Sequence, residues 1–166
     1  MPFYFAYGSN MNVARVEARI GATRRAMAGV LHDYVLRFDK ASRVAGIAHA
    51  NVVPTAGERV EGALFELLEP AQIERMDPFE GYPHEYQRHR LPIVAAEGAI
   101  EAWVYIAAPG TTAQALKPAR EYLDHLLAGE PFLSSDYHRR LARVESISGL
   151  EERQLSLLGL FRHSPR

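Results

Sequence analysis

Between residues 27 and 107 the chain alternates short β-branched and aromatic segments with Gly, Pro and Asp breakers. Residues 27–31, 34–38, 47–53 and 60–67 read as strands, parted by His32-Asp33, Ala45-Gly46 and Pro54-Thr55-Ala56-Gly57. Residues 86–95 and 100–107 read as a last strand pair turning at Glu97-Gly98. Connections this short join antiparallel neighbours. The expected class is therefore α+β: a mainly antiparallel mixed sheet, β-barrel-like, with a few flanking helices concentrated toward the C-terminal end.

The helical segments are fewer. Val13, Val16 and Ile20 recur at helix spacing after a short aromatic strand, while Arg15 and Arg19 fall an i,i+4 step apart on another face, and Gly21 is a stop signal. A short helix is expected from Glu69-Pro70 to Asp77-Pro78, since a residue before proline avoids helical dihedrals. A longer one is expected over 115–127. Ser134-Ser135-Asp136 supplies capping oxygens for another. The stretch from about 150 to 166 reads as a weak helix and a frayed tail. With 166 residues and no repeat or linker, a single domain is expected over 1–166.

Composition removes several function classes. The chain has no cysteine, so disulfides, thiol nucleophiles and cysteine-bound zinc are excluded. Its formal net charge of -1 offers no global attraction to nucleic acid or to an anionic membrane. The apolar start ends at Tyr7, too short for a signal peptide, and no segment is long enough to span a bilayer. A cytoplasmic location is the expectation. The seven histidines form no His-Glu-x-x-His pattern, and there is no Gly-x-Ser-x-Gly elbow.

Two places could carry chemistry. In Tyr7-Gly8-Ser9-Asn10-Met11-Asn12, Gly8 permits close backbone approach, Ser9 and Asn10 carry donors, and the following helix start presents free N–H groups to an anion. The same residues also describe a tight turn in which Asn10 or Asn12 caps the helix. The second place is Glu80. It lies between Phe79 and Gly81-Tyr82-Pro83, where desolvation would raise its pKa and suit it to acid–base work. Its alternative is a loop carboxylate in water. Asp77 and Glu85 are neighbouring rivals, better read as a helix end and a strand start.

These two places together resemble the gamma-glutamyl cyclotransferase family. Phe5-Ala6-Tyr7-Gly8-Ser9-Asn10-Met11 is similar to the family's opening motif. Residues 46–51, Pro54-x-x-Gly57 and Val60-x-Gly62 are similar to its central strands, and Asp77-x-x-Glu80-Gly81 to the segment with its catalytic glutamate. The resemblance spans about residues 3–141. It implies that Glu80 is the catalytic acid–base, that Tyr7, Gly8, Ser9, Asn10, Met11 and Asn12 bind substrate, and that Tyr86 and Tyr137 donate hydrogen bonds to it. The implied reaction closes a γ-glutamyl amide into 5-oxoproline and releases an amino acid or amine, with no metal or cofactor. The implied partners are a small γ-glutamyl substrate and a second copy in a homodimer. A γ-glutamylamine or protected intermediate as substrate, and a non-catalytic binding module, remain as alternatives on the same residues.

Overall fold

The computed structural model describes residues 2–160. Its barrel closes through a strand of four residues, β1 (Phe3–Ala6). On one side β1 runs antiparallel to β3 (Ile47–Glu66), Phe3 opposite Glu66 and Ala6 opposite Ala63. On the other it runs parallel to β5 (Gly98–Ala107), Tyr4 opposite Trp103. Strand β3 also pairs with β2 (Arg25–Ala41), β2 with β4 (Tyr86–Ala95), and β4 with β5, so the sheet returns to β1. The result is a mixed five-stranded barrel, mainly antiparallel, as expected. A two-residue strand, β6 (Lys117–Pro118), adds in parallel to β3. Helices α1 (Val13–Ile20), α2 (Gln72–Glu80), α3 (Arg120–Leu127), α4 (Ser135–Ala142) and α5 (Glu152–Leu157) flank it.

Closure is a packing problem solved by two glycines. The Phe5 ring is fully buried, and Gly29 and Gly62 stand opposite one another in the β2–β3 register. A Cβ at position 62 would lie 2.3 Å from the Ala6 carbonyl oxygen and 2.9 Å from Phe5 Cζ. One at position 29 would lie 2.8 Å from Ile93 Cγ2. The missing side chains are the space that β1 occupies.

Several sequence expectations need correction. The breaks at His32-Asp33 and at 54–57 are not strand ends. Strands β2 and β3 run on through them, with 17 and 20 residues. The register passes from His32–Arg59 to Tyr34–Pro54, so the breaker residues bulge out of one continuous ladder, and the Gly57 N–H donates to Asp33 Oδ1. Helix α2 passes through Pro78 and ends at Gly81, which is left-handed with φ 65°. Pro78 and Glu74 are both exposed, so the hydrogen bond that proline removes lies on the wet side of the helix. Glu80 is thus the last residue of a helix rather than a loop residue. Helix α3 begins at Arg120, not 115, because Lys117 precedes a proline and is held extended in β6. Ser134 caps α4 as expected, its Oγ accepting from the Tyr137 N–H.

The C-terminal stretch is packed as far as it is described. Leu155 is fully buried and Leu160 nearly so, and Glu151 and Gln154 form a capping box at the start of α5. The rest of the expected frayed tail, 161–166, lies outside the described residues. Among the described residues no helix is long and apolar enough to cross a membrane.

The glycine pair makes a sharp prediction. Gly62→Ala sets a methyl against a backbone oxygen that has no rotamer to escape into. It should lower unfolding stability by about 1–3 kcal/mol, the usual range for overpacking. Urea denaturation should show a lower midpoint, with the slope unchanged.

Candidate functional site

Strand β1 ends at Ala6 and hands the chain to a single 3₁₀ turn, Ser9–Met11. The Met11 N–H donates to Gly8 O at 3.0 Å and the Asn12 N–H to Ser9 O at 3.2 Å. The first N–H groups of the turn, those of Ser9 and Asn10, have no acceptor within it. Gly8 is needed for proximity: a Cβ there would lie 3.0 Å from the Tyr122 hydroxyl. Neither Asn10 nor Asn12 caps a helix through its side chain. Asn12 instead sits 3.0 Å from His125 Nδ1.

The turn forms one wall of a cavity of about 420 Å³. Glu80, at the end of α2, lines the same cavity. Asn10 joins the two walls. It is buried, its Nδ2 lies 3.2 Å from Glu80 Oε1 and 2.9 Å from the Tyr4 hydroxyl, and its Oδ1 accepts from Arg19 at 3.4 Å. Burial raises the pKa of Glu80 above its ordinary value. Arg19 and, less strongly, Arg15 oppose that rise, and Asp77 adds to it.

The two rival carboxylates are committed elsewhere. Asp77 holds Arg88 through two hydrogen bonds, of 2.9 and 3.1 Å, and accepts from the Tyr105 hydroxyl at 2.7 Å. These bonds fasten α2, and hence Glu80, to β4 and β5. Glu85 lines the cavity but is largely exposed and bonds the buried Lys40 at 2.7 Å. That bond lowers its pKa.

A second bulge shapes the opposite wall. The β2–β3 register passes from Arg37–Asn51 to Lys40–His49 and skips Ala50. The peptide groups of Ala50 are taken by tyrosines instead. Its N–H donates to the Tyr122 hydroxyl at 2.9 Å, and its carbonyl accepts from the Tyr86 hydroxyl at 2.6 Å. Burial raises the pKa of both phenols, Tyr122 to about 12, so they remain neutral donors and acceptors. His49 lines the cavity with its ring tilted against Tyr122. Burial, then Lys40 and Arg15, lowers its pKa to about 4, so it is neutral.

The structure therefore brings together Tyr7, Gly8, Ser9, Asn10, Glu80 and Tyr86 around one cavity. Tyr7 lines it while donating its hydroxyl to Tyr105 O. Met11 and Asn12 do not line it. Met11 is fully buried behind the turn, its Cβ 2.7 Å from where a Cβ on Gly129 would lie. Tyr137 does not line it either. Ser134, at the head of its helix, is tied to Glu61 through both its N–H and its hydroxyl, at 2.7 and 2.9 Å. The Tyr137 hydroxyl is buried near the Glu61 backbone rather than at the cavity. The late tyrosine at this cavity is Tyr122 of α3. Sequence reasoning also missed Arg15 and Arg19, which line the cavity from α1, and residues 156–159, which line it from the end of α5 and the two residues after it. The i,i+4 arginine pair straight after the turn was the available signal.

Among the described residues no cluster of three or more His, Asp or Glu is arranged to hold a metal ion. A search of curated protein sequences finds no match. Among solved structures, the chain is similar to one described as a gamma-glutamyl cyclotransferase, with 21% identity, TM-score 0.75, and coverage of 95% of this chain and 98% of the other. An uncharacterised protein from Homo sapiens superposes with TM-score 0.75 at 22% identity, covering 93% of this chain and 95% of its own. A yeast gamma-glutamyl cyclotransferase specific to glutathione superposes with TM-score 0.56 at 12% identity, over 84% of this chain and 93% of its own. At these identities the likeness is one of fold. The family model described as "Gamma-glutamyl cyclotransferase, AIG2-like" matches residues 4–128, and the chain belongs to that family.

Proposed function

We propose that this chain cyclises a γ-glutamyl amide to 5-oxoproline, with Glu80 as the acid–base residue. The observation that carries this reading is the Glu80 carboxyl, raised in pKa by burial, lining the same cavity as a turn whose first N–H groups have no acceptor within it. A glutamate so placed is uncomfortable in its charged form and takes up protons readily, which is what proton transfer near neutral pH requires.

The chemistry is an internal exchange of one amide for another. The substrate's α-nitrogen attacks its own γ-carbon and closes a five-membered ring. Glu80 takes the proton that the ammonium must lose. The carbonyl oxygen gains charge as the tetrahedral centre forms, and the Ser9 and Asn10 N–H groups stabilise it. Glu80 gives that proton to the leaving nitrogen and takes the second proton from the ring nitrogen as it becomes the lactam N–H. Collapse breaks the bond to the amine, which departs as an ammonium with the proton that Glu80 carries. No water is consumed, and Glu80 returns to its starting state. The reacting groups are already tethered, so the cavity's contribution is to hold the folded conformer. Tyr86 and Tyr122 act by fixing Ala50 and the cavity wall.

Glu80→Gln tests this directly. It should lower 5-oxoproline release by about 100- to 10,000-fold, the usual loss for an acid–base residue. An unchanged rate of release would remove Glu80 from the mechanism. Stability should move the other way. Because the folded-state pKa of Glu80 is raised, its contribution to stability is present below the unfolded pKa and is lost as pH rises through the folded value. Above that value the Glu80→Gln variant, neutral at this position, should melt at the same temperature as the parent or higher.

The pH profile is a separate prediction. Glu80 must be ionised to accept the ammonium proton, so kcat/KM should fall on the acid side, with its midpoint above the ordinary glutamate value of 4.5. A midpoint at or below that value would contradict a desolvated base.

A further inference from the structure

We propose that Arg15 and Arg19 form a carboxylate clamp that holds the α-carboxylate of the γ-glutamyl group, leaving the turn N–H groups for the γ-carbonyl oxygen. The identity of the ligand rests on the cyclotransferase reading above; the clamp itself rests on charge and geometry.

Both guanidiniums line the cavity, from successive turns of α1. Neither has a carboxylate within 4.0 Å among the described residues. Their contacts are neutral. Arg15 donates to Ser9 Oγ at 3.3 Å and to Gly159 O at 3.1 Å. Arg19 donates to Asn10 Oδ1 and lies over the Phe79 ring at 4.9 Å. The other cations inside the fold are treated differently: Lys40 has Glu85, and Arg88 has both oxygens of Asp77. Burial, and after it the neighbouring Arg19 charge, push the Arg15 pKa down to about 10. Two half-buried like charges side by side cost stability unless an anion joins them. Each guanidinium has N–H groups left over, in the planar fork that matches a carboxylate.

The position selects which carboxylate. Arg19 reaches Asn10, and Asn10 reaches Glu80. In a γ-glutamyl group the α-carboxylate and the α-nitrogen share one carbon. A carboxylate held by this pair therefore brings the attacking nitrogen toward Glu80. The bound carboxylate also offsets the two positive charges that hold the Glu80 pKa down, so the base strengthens when substrate arrives.

The test is calorimetric titration of 5-oxoproline and of its carboxamide into the parent protein, Arg15→Met and Arg19→Met, with melting temperatures recorded for each. The product keeps the α-carboxylate, so it reports on the clamp without turnover. The parent should favour the carboxylate by about 10- to 100-fold, the range for charge-assisted hydrogen bonds. Each variant should lose most of that preference while melting at the parent temperature or above, because an uncompensated charge has been removed. Equal affinity of the parent for the two compounds, or no binding of either, overturns the clamp without any variant. So does a preference that survives in both variants. If γ-glutamyl compounds are turned over but the preference does not depend on the arginines, the clamp falls and cyclisation stands. If the preference depends on the arginines but no γ-glutamyl compound is turned over, the clamp stands and cyclisation falls.

Discussion

The site depends on the placement of the Phe5 ring in the notch left by Gly29 and Gly62. That packing draws β1 between β3 and β5, and β1 is the strand that closes the barrel. Its last residue leads directly into the turn at Ser9–Met11. Barrel closure and site construction are therefore one event. A shift of β1 by a fraction of an ångström would move the turn against Tyr122, which already stands 3.0 Å from where a Cβ on Gly8 would be. The rigidity of a close-packed core thus becomes positional accuracy in the cavity.

The second governing constraint is electrostatic. Glu80 is pulled in two directions: burial favours its neutral form, and the α1 arginines favour its charged form. Asn10 lies between them and bonds to both sides. A group balanced in this way is easily tipped by the charge of an incoming ligand. Asp77 keeps that balance in place mechanically. Its bonds to Arg88 and Tyr105 anchor the helix on which Glu80 is the last residue. The two carboxylates are one helical turn apart and do unlike things, because one faces a cation and the other faces a cavity.

Sequence patterning made the fold class legible, along with β4 and β5, and α1 with its Gly21 stop, each of which follows from local periodicity. The first turn and Glu80 were linked only by the family resemblance. What patterning misplaced has a physical pattern too. Breakers at His32-Asp33 and at 54–57 mark bulges, and bulges look like strand ends until a partner strand supplies the ladder. Pro78 marks a helix interior because its missing bond faces water. Tyr122 and Tyr137 could not be told apart by sequence: both lie on helices with apolar neighbours, and only docking decides which hydroxyl reaches Ala50. The bond from Arg15 to Gly159 spans 144 residues, and no local signal could carry it.

The account stands or falls on the ionisation of Glu80. The most direct measurement is the pH titration of its side-chain carboxyl by carbon NMR in glutamate-labelled protein, assigned by the signal lost in Glu80→Gln. The account predicts a midpoint above 4.5 that rises further when 5-oxoproline is bound. A midpoint at or below 4.5, unmoved by the ligand, would mean that the carboxyl is solvated or permanently paired, and Glu80 could not be the proton carrier described here.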